Sequence, residues 1–344
     1  YPAPAGGPGA ETMDEIGVAI VGSGMIAHAH ASSLNRIPGV RVTHVVGNRM
    51  APAEDVARLA PGAVATTDRH RVLADPQVGA FLICTPSDSH ASLSVEAMEH
   101  GKPVLVEKPV ALSLADFDRM TSTARASGLS LLVGQTSRFQ PVHEELHQAL
   151  VEGAVGRLRV LKLTWYVGYV WPRAWRAWQL DGSRSGGHSV HNGVHPLDLA
   201  VWLLGQAPKR VFARAFRTFS PDLPMPDSFH ITLRFDDALA LVDLSYGLPR
   251  PGANLRRALA IGEQGTIQHR SVQEEELLSG TVAAPPPSLD DAIHRELVHW
   301  VATLHGAAEP LVRWEEVRAT LAAALAAQRS LETGRAVGVE EVER

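Results

Sequence analysis

An apolar strand pattern, Ile16–Val21, runs straight into Gly22-Ser23-Gly24-Met25-Ile26-Ala27 and then into an Ala/His/Leu segment of helical spacing over residues 27–36. No other feature of the chain restricts its fold as much. In a strand–turn–helix of the form G-x-G-x-x-A, the first glycine allows a tight turn and the second lets the backbone approach a pyrophosphate. The small residue at the end lets helix and strand pack closely. The free N–H groups at the helix start then face the anion. Gly22, Gly24, Met25 and Ile26 are therefore the expected phosphate-binding turn.

The alternation continues. Residues 41–46, 79–84, 104–106 and 129–133 read as strands, and 53–60, 87–100 and 114–127 as helices. Such alternation implies a parallel, doubly wound sheet. Ligands of such sheets bind at the carboxyl ends of the strands. The loops there are Thr85-Pro86-Ser87-Asp88-Ser89-His90 and Glu107-Lys108-Pro109. After the second strand, where NAD-binding versions carry an acidic residue for the ribose, this chain has Asn48-Arg49. No carboxylate repels a 2′-phosphate there and Arg49 can pair with one, which tilts the reading from NAD toward NADP. Arg49 stacked on the adenine would leave the choice open.

The later half changes character. Residues 157–167, 210–218, 228–235, 238–245, 257–262 and 266–269 alternate as strands, with turn formers such as Asp236-Asp237 between them. That pattern fits an antiparallel sheet. Helical patterns at 290–304 and 314–333 close the chain, after a loop-like stretch at 279–288.

Between the halves lies a histidine-rich segment. His188, His191, His195 and Asp198 recur at spacings that put all four on one stripe of a helix. Three readings fit: a metal site, a proton-transfer site, or a satisfied structural cluster. The reading taken here is that no metal is held, with Asp198 satisfied by contacts within the fold. Trp165, Tyr166, Tyr169, Trp171, Trp175 and Trp178 precede the stripe. Aromatic faces stack on the apolar faces of sugar rings, and they also pack domain junctions. Arg173, Arg176 and Arg184 suit either a substrate anion or a solvated surface.

Composition narrows the class of partner. A net charge of −5 argues against nucleic acid. No run of about 18 apolar residues appears, so a membrane span is not expected. Cys84 is the single cysteine, which suits a reducing cytosol, and a cytoplasmic protein is expected. Residues 1–14 are rich in Pro, Ala and Gly and read as a disordered leader or tag, with Met13 as the natural start.

Gly22 to Ala27, Thr85-Pro86 with His90, Glu107-Lys108-Pro109, and Gly186-Gly187 leading to Gly193-Val194-His195 with Asp198 occur together in this order. The combination resembles the Gfo/Idh/MocA family, the group that contains glucose–fructose oxidoreductase and inositol dehydrogenase. That resemblance implies an α/β protein: an N-terminal Rossmann doubly wound parallel sheet plus a C-terminal α+β domain with a large, mostly antiparallel open sheet. The division expected is residues 15–137 for the dinucleotide and 138–344 for substrate binding and oligomerisation. By the same resemblance Thr85, Pro86 and His90 belong to the cofactor loop, and Glu107 holds the cofactor or orients Lys108. Lys108 then hydrogen-bonds the reacting oxygen, His195 is the general acid/base, and the Lys108–Pro109 peptide is cis. The family carries a Trp shortly before the Gly-Gly pair, which makes Trp175 and Trp178 substrate contacts. Arg138, after the last Rossmann strand, and His188 are further pocket candidates. In the family a second subunit buries the open sheet, so a homodimer or homotetramer is expected.

Such a chain transfers a hydride between NAD(P) and a secondary hydroxyl or ketone of a sugar, a cyclitol or a sugar derivative. The alternatives are a redox-neutral glycoside-cleaving enzyme with transient oxidation, and a non-catalytic dinucleotide-dependent sugar sensor. The chemistry needs a base for the hydroxyl proton and a cation for the developing alkoxide. His195 and Lys108 supply both. One departure stands out: the family usually has Asp four residues before its histidine, and this chain has His191. A protonated His191 would depress the pKa of Lys108 and His195. His191 itself is an alternative base, so it joins the catalytic and substrate-binding candidates.

Overall fold

The computed structural model describes residues 15–168, 177–218, 225–248, 254–272 and 288–343. The leader over residues 1–14 lies outside them. The chain first builds strands β1 (Ile16–Val21), β2 (Val40–Val46), β3 (Val64–Thr66), β4 (Ala80–Ile83), β5 (Val104–Glu107) and β6 (Leu131–Gly134). Helices α1 (Met25–Leu34), α2 (Met50–Ala57), α3 (Arg69–Leu73), α4 (His90–Glu99) and α5 (Leu114–Ser127) connect them. All pairings are parallel, in the order β3-β2-β1-β4-β5-β6. The chain leaves β1 in one direction and returns beside it as β4. That reversal opens a crevice at the carboxyl ends of β1 and β4, where such sheets take ligands. β4, β5 and β6 are buried at every residue, as strands covered on both faces are.

Two elements here carry no periodic signal. β3 has three residues, none of them buried, and α3 has five. α3 is held by its cap, the Asp68 carboxylate accepting from Arg71 N–H at 3.1 Å. The helix read from residue 87 begins as a single 3₁₀ turn, Ser87–Ser89, before α4 proper.

Helix α6 (Pro141–Val151), which the sequence reading did not anticipate, leads to the second sheet. Strand β7 (Leu158–Gly168) is followed by short helices α7 (Ala177–Leu180), α8 (Gly182–Ser185) and α9 (His188–His191), and by α10 (Val194–Leu204). Then come β8 (Arg210–Phe216), β9 (Ser228–Arg234), β10 (Leu239–Leu248), β11 (Asn254–Gly262) and β12 (Thr266–Val272). Helices α11 (Leu289–Leu304) and α12 (Trp314–Thr333) precede the two-residue edge strand β13 (Val337–Gly338). The strand order is β12-β11-β7-β10-β9-β8-β13, antiparallel throughout except for the β7–β10 pair near its middle. Side chains alternate: Leu161, Leu163, Trp165 and Val167 of β7 point inward with Ala240, Val242 and Leu244 of β10. Helices α10 and α12 cover that inner face.

The last helices tie the two sheets together. α12 packs on β8 and on α5, where Arg318 pairs with Asp118 at 2.9 Å. α11 packs on α1, with Ser33 hydrogen-bonded to His294 at 2.9 Å, and buries Ile293, Leu297 and Trp300. Residues late in the chain thus complete the helical layer over the first sheet.

Candidate active site

The turn after β1 has the form a pyrophosphate needs. Gly22 sits at φ 120°, and a Cβ there would lie 2.5 Å from the Cys84 carbonyl oxygen, so only glycine fits. Gly24 faces open space: a Cβ would meet nothing within 4 Å. Gly24 is also the N-cap of α1 and supplies no side-chain hydrogen bond, and the first turn holds no acidic residue. The N–H groups at the start of α1 are therefore left for an anion, and these residues fit a dinucleotide. Met25 is exposed and Ile26 partly so, beside this turn, while Ala27 is fully buried against the sheet. Asn48 and Arg49 are exposed at the N-terminus of α2.

The two loops at the strand ends are locked to each other. The His90 ring bridges them, Nε2 at 2.9 Å from the Thr85 carbonyl and Nδ1 at 2.8 Å from that of Pro109. At 1 % exposure, with a main-chain carbonyl within hydrogen-bond distance of each ring nitrogen, His90 presents no ring nitrogen to the crevice, a placement that does not support its expected cofactor role. It is a structural tie between the loops. Thr85 and Pro86 stay partly exposed on the crevice, with Ser89 Oγ donating within the loop.

Beneath the second loop lies a buried acid–base pair. Glu107 Oε1 meets His30 Nε2 at 2.8 Å, and Oε2 accepts from Lys108 N–H at 3.1 Å. Burial pushes the Glu107 carboxyl up, but His30 and Lys108 outweigh it and hold the group below the usual carboxylate range. Glu107 thus holds the main chain at position 108. Glu296 of α11 lies close by. Burial and the Glu107 charge push its carboxyl well up, and Thr136 Oγ1 donates to it at 3.2 Å. Burial and the same two carboxylates raise the Cys84 thiol, which leaves it an inert core group.

The Lys108–Pro109 peptide is cis, as expected. Lys108 reaches across the crevice, where Nζ donates to the His191 carbonyl at 3.0 Å. Burial lowers the ammonium's pKa, against the charge of Glu107.

The histidine stripe is not one helix. It breaks at Asn192-Gly193, where a Cβ on residue 193 would strike the Ser189 carbonyl oxygen at 2.3 Å. The four side chains accordingly diverge. His188 bonds Asn192 at 2.6 Å and stacks on Tyr246. It lines a cavity of about 450 Å³ with Ala213, Phe229 and Gln328, whose walls include none of Lys108, His191 and His195. Its expected substrate role is not supported by that placement. His191 lies edge-on to Trp178 at 5.1 Å, 3.4 Å from the Gln179 amide nitrogen. His195 stacks parallel to Trp165 at 5.8 Å, with Nδ1 3.4 Å from Ser137 Oγ. Asp198 turns into the core. Its carboxylate accepts twice from Arg138 at 2.7 Å, and Glu316 takes the remaining edge of that guanidinium. Arg138 is fully buried and has no edge left for a substrate, which corrects the expectation that it lines the pocket. Among the described residues no group of three or more His, Cys, Asp or Glu is placed to hold a metal.

Trp175, Arg173 and Arg176 lie outside the described residues. Arg184 bonds Asp88 at 2.7 Å, joining α8 to the cofactor-side loop. Three residues of this region have no distinctive sequence signal: Ser137, Tyr246 and Glu296. His30 carries one, as the histidine three residues after Ala27 on the sheet-facing side of α1.

His191 and His195 are both held well below 6.5, by burial first and by the Lys108 charge second. Both are therefore neutral at pH 7, and each is a competent proton acceptor. An aspartate in place of His191 would reverse part of that effect, because its negative charge favours protonated Lys108 and His195. In His191→Asp the acid limb of kcat/KM for alcohol oxidation, below pH 6.5 in the parent, is expected to move toward neutrality. A pH profile of both proteins measures it. An unmoved limb would mean that His191 does not act on the base.

Fold and site together define an oxidoreductase built from a dinucleotide-binding Rossmann sheet and a second sheet that closes its crevice. Residues 16–135 match the NAD-binding Rossmann domain of the Gfo/Idh/MocA oxidoreductase family, and residues 143–268 match its C-terminal domain. The chain belongs to that family. It is 26 % identical to myo-inositol 2-dehydrogenase of Thermotoga maritima over 94 % of this chain and 99 % of the relative. It is 26 % identical to scyllo-inositol 2-dehydrogenase (NAD(+)) of Bacillus subtilis over 95 % and 97 %. A solved probable dehydrogenase from Thermotoga maritima superposes with a TM-score of 0.84, at 25 % identity, over 95 % of this chain and 100 % of that one.

Proposed function

We propose that this protein oxidises a secondary hydroxyl of a sugar or cyclitol, or reduces the corresponding ketone, with NAD or NADP. One observation carries the reading. Lys108, from a strand end of the first sheet, meets the His191–His195 segment of the second unit across the crevice, at 3.0 Å. The Lys108 charge acts on both neutral imidazoles, His191 and His195, from across the crevice. When bound, the nicotinamide supplies the hydride acceptor or donor. Gly22, Gly24, Met25 and Ile26 would hold its phosphates, with Thr85 and Pro86 beside the ribose.

His195 takes the hydroxyl proton. In the tautomer whose Nδ1–H donates to Ser137 Oγ, Nε2 carries the lone pair that receives it. The Lys108 ammonium, with donors to spare beyond its bond to the His191 carbonyl, steadies the alkoxide as charge develops. Stacking on Trp165 fixes the His195 ring, and Trp178 beside His191 offers an apolar face to a sugar ring. The reading divides the chain at about residues 137/138 and places the protein in the cytoplasm. A second copy would cover the open face of the second sheet, where the partly exposed Val160, Tyr166, Leu241 and Leu259 lie. Exposed Arg49, with no carboxylate over residues 47–50, favours acceptance of a 2′-phosphate.

The test is the absorbance of reduced nicotinamide, with NAD or NADP, across a panel of monosaccharides, inositols and nucleotide sugars. Turnover of at least one member is expected. Dinucleotide binding without turnover in either direction would sink the dehydrogenase reading and favour the sensor.

A further inference from the structure

Two arginines, Arg138 after β6 and Arg256 on β11, are withdrawn from bulk water and treated differently by the fold. Arg138 has two carboxylates, Asp198 and Glu316. Arg256 of β11 has none within ion-pair distance among the described residues. Its Nε donates to Asn254 Oδ1 at 3.1 Å and Nη1 to Gln140 Oε1 at 3.2 Å, both neutral amide oxygens. The guanidinium lies over the Trp165 indole, 3.6 Å from its centre. β11 and β7 set this up directly, because Arg256 and Trp165 are cross-strand partners. That same indole is the surface on which His195 stacks.

We propose that Arg256 recognises an anionic substituent, a carboxylate or phosphate, on the substrate, which makes the preferred substrate an acidic sugar or cyclitol. The inference rests on the dehydrogenase reading above for what the pocket does. A cation taken out of water without a counter-charge is costly, and amide oxygens with an aromatic face compensate it only in part. Burial lowers the Arg256 pKa to about 10, so the group remains charged at neutral pH. Its charge also depresses His195, the proposed base. An anion at Arg256 would complete the missing pair and relieve that effect on His195. The residue is only partly buried, and Nη2, with no hydrogen bond among the described residues, is the donor left for a ligand. Because both groups lie against one indole, the anionic group would sit on a ring or exocyclic carbon other than the one oxidised.

The experiment compares matched neutral and anionic substrates: glucose with glucuronate and with glucose 6-phosphate, and myo-inositol with its monophosphate. For the wild-type protein kcat/KM is expected to favour the anionic member of a pair by at least about tenfold, chiefly through KM, as a charge-assisted hydrogen bond would give. Arg256→Gln should abolish the preference and Arg256→Lys should restore part of it, which a purely structural role would not do. The uronate and phosphate arms separate the two sources of charge. Calorimetry of glucuronate and glucose on dinucleotide-loaded protein runs alongside. Turnover of neutral members with no anion preference would overturn this inference and leave the dehydrogenase reading standing. Selective, Arg256-dependent binding of the acid without turnover would do the reverse. Absence of both overturns both.

Discussion

Lys108→Ala is expected to lower kcat about a thousandfold with any sugar or cyclitol that the wild-type protein turns over. The ammonium is the one cationic donor that the described structure places beside both His191 and His195. Alanine removes from the developing alkoxide the one ammonium that reaches the His191 carbonyl. Single-turnover kinetics should put the loss in the hydride step, with a much smaller change in dinucleotide affinity, because Nζ bonds the His191 carbonyl and not the Gly22–Ala27 turn. Retention of kcat within about tenfold would show that another group carries the alkoxide and would remove Lys108 from the chemistry. Removing Lys108 also takes away a charge that depresses His195, so the base should become easier to protonate and the acid limb should rise.

Arg138→Met is expected to cost about 3–5 kcal/mol of stability, far more than an exposed arginine would. Its guanidinium is fully buried between Asp198 of α10 and Glu316 of α12. Methionine fills much of the volume but leaves the Asp198 carboxylate buried, with the Thr320 hydroxyl at 3.3 Å its one remaining side-chain donor among the described residues. Burial already raises the Asp198 pKa with the arginine present. Urea unfolding of the variant measures the change, and a loss below about 1 kcal/mol would mean that the pair adds little beyond packing. The effect should fall on folding and not on substrate preference, which separates Arg138 from Arg256.

Those two arginines show where the sequence stops being legible. The phosphate turn, the strand–helix alternation and the Glu107-Lys108-Pro109 loop could be read directly, since local spacing and backbone needs determine them. The long strands and α12 were also recoverable from periodicity. β3, α3 and β13 were not, because each is two to five residues long and lacks the continuous buried apolar run that marks the equally short β4, β5 and β6. The helical stripe through His188 and Asp198 misled: the spacing was right, but Gly193 packs on the Ser189 carbonyl and the helix breaks there. Which side of a site an arginine or histidine faces depends on partners far along the chain. Arg138 meets Glu316 across 178 positions, and Arg256 meets Gln140 across 116. His90 looked like a cofactor residue because it stands in the cofactor loop, yet the loop uses both its nitrogens.

The packing of α11 on α1 bears on how the protein is made. Ser33 and His294 touch across 261 positions of sequence. On the ribosome the nucleotide-binding turn therefore emerges long before the helix that covers its neighbour. Until α11 is made, the contacts it supplies to α1, the Ser33–His294 hydrogen bond among them, are missing from the first sheet's helical layer. Contacts of such separation also slow folding, because the loop between them must close before they form. The dinucleotide half thus precedes the second sheet in sequence, yet its helical layer is complete only once α11 has packed on α1.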